Sequence, residues 1–229
     1  QGIPPRHPEL LDWLASELIC GDWKLKRIHK LIMTSGVYMQ SGRVTASGHQ
    51  HDPEVLLLWK RNVRRLEAEI IRDALLEVSG TLDRTMFGPG TLDPKSMRRS
   101  VYFTVKRSQL IQMLQLFDAP DTMQGIGARQ QSTVAPQALA LLNSPSVREF
   151  ATTFAARVRP NSEVSIEESI DRVYQVALAR PATGTERSAM KEFIQQQQSL
   201  RGENAPAEDL AMRDFCHLVL CMNEFIYID

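Results

Sequence analysis

Apolar residues recur at intervals of three and four along most of this chain, and signals of the right chemistry bound each stretch. Leu10, Leu11, Leu14 and Leu18 follow this period, as do Leu25, Ile28, Leu31 and Ile32, then Ile166, Ile170, Val173 and Ala177, and finally Phe215, Leu218, Val219 and Met222. That spacing puts one apolar stripe on one side of a helix and requires another element to cover it. The expected fold is therefore mainly α, an irregular multi-helix bundle. Pro8 sits in the first turn of the first helix and Gly21 ends it. A second helix runs from about Lys24 until Ser35-Gly36 closes it. Arg64 to Ser79 reads as one amphipathic helix, with Leu66, Ile70, Leu75 and Val78 inward, Arg65, Glu69, Arg72 and Glu77 outward, and Gly80 as its stop. Ser132-Thr133 leads into a helix to about Leu142, and Pro145 opens the next. Ser165 with Glu168, and Thr183 with Glu186, have the spacing of a capping box. The polar stretch Ser41 to His51 reads as a loop, and Asp52-Pro53-Glu54 as a helix start.

One segment breaks the helical period. Residues 81–98 hold Gly88-Pro89-Gly90 and Asp93-Pro94, so they form an irregular connection. After it Val101, Phe103 and Val105 alternate with Tyr102, Thr104 and Lys106, the pattern of one short extended or β segment near residues 99–106. The expected organisation is a single helical domain over 1–229, with N-terminal helices in 1–80, the irregular segment in 81–133 and C-terminal helices in 134–229.

At 229 residues the chain is long enough to bury a core, roughly 70% of the unfolded surface at this length. Lys plus Arg and Asp plus Glu both total 27, so the formal charge is zero. Phosphate contacts normally leave a basic excess, which argues against a nucleic-acid partner. No apolar run approaches the roughly eighteen residues of a membrane span. Gln1 stands where an initiator Met would be, and Asp229 ends the chain after an apolar run, so it reads as a segment of a longer protein. Cys20, Cys216 and Cys221 have no zinc or haem spacing and read as small buried apolar residues, with a bridge from Cys20 open in an oxidising compartment.

Few motifs carry chemistry. His49-Gln50-His51-Asp52 resembles a metal-ligand cluster, but Asp52 is accounted for as a helix cap, so no metal site is assigned. Cys216-His217 has the end of a c-type haem attachment motif, yet position 213 is Arg213, so no cofactor is assigned to this segment. No glycine-rich phosphate loop and no nucleophile elbow occurs. The stretch from Arg98 to Arg129 is different, because it gathers Arg98, Arg99, Lys106, Arg107, Asp118, Asp121 and Arg129. Alternation puts Arg99 and Arg107 on the side of Val101, Phe103 and Val105, where a cation needs a partner. Two readings follow: an internal ion-pair network that pins the irregular segment, or a ligand site whose arginines grip a carboxylate, sulfate or phosphate. An enzyme acting on polysaccharide or a sulfated sugar would use Asp118 and Asp121 as its acid and base.

Several long strings carry a family resemblance. They are residues 8–15 (PELLDWLA), the helix from Leu25 with the turn after it, residues 65–75 (RLEAEIIRDAL), the segment Arg98 to Ser108, residues 117–121 (FDAPD), Ser132-Thr133 leading to residues 136–143 (PQALALLN), and residues 223–229 (NEFIYID). In these the chain resembles the PSD-type C-terminal domain of large planctomycete proteins, domain of unknown function 1553, and matches its C-terminal part. The resemblance implies an exported, periplasmic or cell-envelope location. It also implies other domains of the same polypeptide as partners, among them a cytochrome c-like domain carrying haem c upstream. The function these readings support is a non-catalytic helical module docking to such a neighbour, with polysaccharide or sulfated-sugar binding as the alternative.

Overall fold

Side-chain caps at Thr45, Ser144, Ser165 and Thr183 fix the starts of four helices. In the computed structural model, which describes residues 4–106, 108–120, 129, 131–161, 163–202 and 207–228, the described residues form eleven α-helices, one 3-10 turn and two two-residue strands. They divide into two compact units, the first running to Arg64 and the second spanning Arg65–Ile228.

The first unit holds α1 (Pro8–Cys20), α2 (Leu25–Met33) and α3 (Ala46–His51). Helix α3 replaces part of the expected loop. Thr45 Oγ1 accepts from Gly48 N at 3.2 Å and so starts a helix despite the Gly/Ser content. The ring of Trp59 lies on that helix at Gly48, where a Cβ would come within 2.4 Å of it. Asp52, expected to begin a helix, instead closes a turn. It ends α3, its carboxylate accepts from Leu56 N at 3.0 Å and Leu57 N at 2.7 Å, and its carbonyl accepts from Trp59 Nε1 at 2.8 Å. Val55 and Leu58 take positive φ within this turn, which ends helical geometry where Pro53 would have allowed it. None of the three helices contains a buried residue.

Strand β1 (Arg64–Arg65) falls at the division, and the second unit contains α4 (Ala68–Ser79), a 3-10 turn (Ser100–Tyr102), α5 (Gln112–Leu116), α6 (Ala135–Asn143), α7 (Pro145–Val158), α8 (Ile166–Leu178), α9 (Gly184–Arg201), α10 (Ala207–Leu220), α11 (Asn223–Ile226) and β2 (Tyr227–Ile228). The strands pair with each other, and Leu66 N donates to Ile226 O at 2.8 Å. Helix α10 packs on α7 and α9, and α7 packs on α4. Phe154, Tyr174, Phe215, Ile71, Leu75 and Met212 fill the core between them. Ser165 and Thr183 cap α8 and α9 as their spacing implies, the reciprocal box forming at Thr183–Glu186, and Ser144 caps α7 just before Pro145. Gly80 takes φ +79 after α4, and Arg157 Nη1 donates to the terminal carbonyls of Glu77 at 2.7 Å and Val78 at 2.9 Å.

Three local expectations change. Helix α4 begins at Ala68, after the strand, and buries Leu75 and Val78 as expected, but its inward face is shifted toward Ile71, Arg72 and Leu76. Ile70 is 45% exposed, whereas Arg65 and Arg72 are buried. The extended segment near 99–106 begins as the 3-10 turn. Beyond it only single bridges form among the described residues, Thr91 with Phe103 and Lys106 with Gln109, because the neighbouring chain is a loop and not a strand. Its alternation defines no buried side: Val101 is 70% and Val105 62% exposed. Of the cysteines only Cys216 is buried, Cys221 is half-buried and Cys20 is exposed, and all three are free. Burial pushes the Cys221 thiol up to about 11 and the Cys216 thiol up further, which makes both poor nucleophiles.

Candidate functional site

The irregular segment is held by arginines that periodicity assigned to the solvent side. Arg72, at the middle of α4, points its guanidinium into the segment. It donates to Arg98 O at 3.0 Å, to Ser100 Oγ at 3.3 Å and to Ser96 O, and its guanidinium carbon lies 4.5 Å from the centre of the Phe103 ring. The next residue supplies the opposite charge. Asp73 accepts from Ser100 N and Ser100 Oγ, both at 2.7 Å, and Arg99 Nε stands 3.6 Å away. Burial pushes the Arg72 pKa down, and the adjacent Asp73 carboxylate opposes that shift. Two neighbouring positions on α4 thus satisfy carbonyls and donors of one short stretch, which replaces the ladder a strand would have had.

Arg65 does the same at the far end of the segment. It donates to Phe117 O at 3.2 Å and pairs with Asp118 Oδ2 at 2.6 Å, with 4% of its side chain exposed. Asp118, at φ +62, also accepts from Ser132 N at 2.7 Å and Ser132 Oγ at 2.8 Å. Gln137 joins the network by donating to Leu116 O at 3.0 Å and Ser132 Oγ at 3.1 Å. A carboxylate with a cation and two hydroxyl or amide donors already in place is a structural acceptor.

The other residues of the Arg98–Arg129 stretch go to separate places. Arg98 is folded back on its own loop, donating to Thr85 O at 3.1 Å, Pro89 O at 3.2 Å and Phe87 O while lying 3.7 Å over the Tyr102 ring. Arg99 is exposed beside Asp73. Arg107 and Asp121 lie outside the described residues. Lys106 and Arg129 line one cleft of about 390 Å³ together with Glu69, Thr104 and Gln115. Arg129 Nη1 and Nη2 bond Glu69 at 2.7 and 3.2 Å, and Nη1 is 3.3 Å from Glu67. Burial alone would raise the Glu69 pKa, but these bonds hold it below its ordinary value, and they raise that of Arg129.

Neither Arg65, Arg72 nor Asp73 stands out in the sequence as a site. The available signal was phase: Arg72 is in register with Ala68, Leu76 and Ser79, all buried on α4. Cys216 is wholly buried, and His217 Nε2 donates to Leu141 O at 3.0 Å.

The first unit offers a different kind of surface. Leu10, Leu11, Trp13 and Ile19 on α1, and Leu25, Ile32 and Met33 on α2, are exposed, and Trp23 between the helices is 69% exposed. Helix α2 also carries Lys26, Arg27, His29 and Lys30 and no acid. No helix among the described residues is long and apolar enough to cross a membrane.

The family model described as PSD1, protein of unknown function (DUF1553), matches residues 1–194. No curated protein matches the chain, and no solved structure does.

Proposed function

The chain belongs to the PSD1 family of proteins of unknown function (DUF1553), and we propose that it serves as a non-catalytic helical docking module of a larger envelope protein. The observation that carries this reading is the exposed apolar surface of α1 and α2. Stripes with helical spacing are normally covered, and exposed patches of this kind mark protein contact sites. The basic side chains of α2 would flank the contact and favour an acidic rim on the partner. The partner in this reading is a neighbouring domain of the same polypeptide, of which a haem-bearing, cytochrome c-like domain is one. The resemblance to planctomycete proteins supports that partner and the exported location. Hydrogen exchange over α1 and α2, with the neighbouring domain present and absent, tests the reading.

A second reading rests on Lys106 and Arg129, which line one cleft. Lys106 there suits the anionic group of a sulfated or uronic-acid oligosaccharide, and such a ligand would compete with Glu69 for the Arg129 fork. A melting screen of the 229-residue chain against heparin-derived oligosaccharides decides it. A rise in Tm that Arg129→Ala removes supports the reading, and an unchanged Tm at about 1 mM ligand excludes binding tighter than roughly that value.

A further inference from the structure

A second and larger cleft, of about 790 Å³, opens within the second unit between the loop at 92–97, the segment 109–117 that includes α5, and the junction of α6 with α7. That volume lies within the range of roughly 300–1,000 Å³ typical of small-molecule sites. Its lining divides by chemistry. Phe117, Leu141 and Val147, each 2% exposed, form core-like walls, and half-buried Leu110 and Met113 extend them. The cations are Arg72 and Lys95, one buried and one exposed, and Ser96 of the loop also lines the cleft.

Arg72 is the unusual member. Among the described residues, three of its five N–H donors meet acceptors, and all three acceptors are uncharged. Its nearest carboxylate, Asp73, is 3.8 Å away and is shared with Ser100 and Arg99. A buried cation so placed is stabilised by a further anion, and a planar guanidinium suits a carboxylate. Glu149 also lines the cleft and is exposed. It disfavours a ligand with a second negative charge.

We propose that this cleft binds a small amphipathic monocarboxylate, its acyl or aromatic body against Leu110, Met113 and Phe117 and its carboxylate toward Arg72 and Lys95. This site is independent of the docking face on the first unit. Calorimetric titration of the 229-residue chain with decanoate, and with decanol as the uncharged control, tests it. Two exposed lining positions serve as variants, Lys95→Glu for charge and Ser146→Trp to fill the cleft. The expected result is one site, with decanoate roughly ten-fold tighter than decanol. Lys95→Glu should narrow that preference, and Ser146→Trp should remove binding. Equal affinity for the two ligands, undiminished binding in Ser146→Trp, or no heat at about 1 mM decanoate would each overturn the proposal. Should Ser146→Trp melt early, the Lys95→Glu comparison decides alone.

Discussion

At the scale of the residue, the least soluble-looking arrangement is made by residues that pattern alone sends to the surface. Arg65 and Arg72 are buried because each satisfies several carbonyls of a segment without secondary structure, a role that depends on tertiary neighbours and leaves no local trace. Ile70, by contrast, has the spacing of a core residue and lies exposed. The Arg98–Arg129 stretch was legible as a concentration of charge in which Arg99 and Arg107 would need a partner and Asp118 stood as an acid. Its true partner, Arg65, lies 53 positions away and was not legible. Removing the charge of Asp118 should therefore cost stability. Asp118→Asn is expected to lower the unfolding free energy by about 2–4 kcal/mol, since it leaves a buried guanidinium unpaired. Urea denaturation with an unchanged m-value measures this. A loss below about 0.5 kcal/mol would mean that Asp118 is free for chemistry after all.

At the scale of the element, helix starts were legible where a short polar side chain precedes an apolar period, as at Ser165 and Thr183. They were misread where the cap belongs to something shorter. Thr45 starts a single turn of helix over glycine and serine, and Asp52 caps a turn in place of a helix. The extended segment was half legible, because alternation reports exposure on two sides and cannot report that no strand lies alongside. The Thr183–Glu186 box extends into a tertiary clasp. Arg180 bonds Glu186 at 2.7 and 2.9 Å and also bonds Glu224 on α11 at 2.6 and 2.7 Å. Arg180 first, and the Thr183 N–H second, hold the Glu186 carboxyl down to about 2. A carboxyl in the unfolded chain titrates near ~4.3. A depressed folded value means that the clasp contributes fully above that pH and fades as pH falls toward 2. Wild type should accordingly exceed Glu186→Gln in stability at pH 6, and the gap should close steadily below about pH 4. Denaturation curves at successive pH values measure it, and a gap independent of pH would contradict the assignment.

At the scale of the whole molecule, fold class and family were both readable. Helical periodicity repeats along most of the chain, and long strings match in order. What the sequence could not convey is how unevenly that periodicity is used. In the second unit the apolar faces converge on Phe154, Tyr174 and Phe215, whereas in the first unit equally regular stripes are only partly covered: Leu14, Leu18, Ile28 and Leu31 are half-buried, and Leu10, Leu11, Leu25 and Ile32 are exposed. A stripe states that a helix wants cover and is silent on what provides it. Amides with little buried apolar surface above them open locally at low cost. Hydrogen exchange is therefore the most direct measurement of the docking claim, made on the 229-residue chain alone and on the larger polypeptide carrying its neighbouring domains. Docking predicts fast exchange over α1 and α2 in the isolated chain and roughly ten-fold or greater slowing there in the larger polypeptide, with α7 and α10 unchanged. Equal exchange of α1 and α2 in the two states would contradict it.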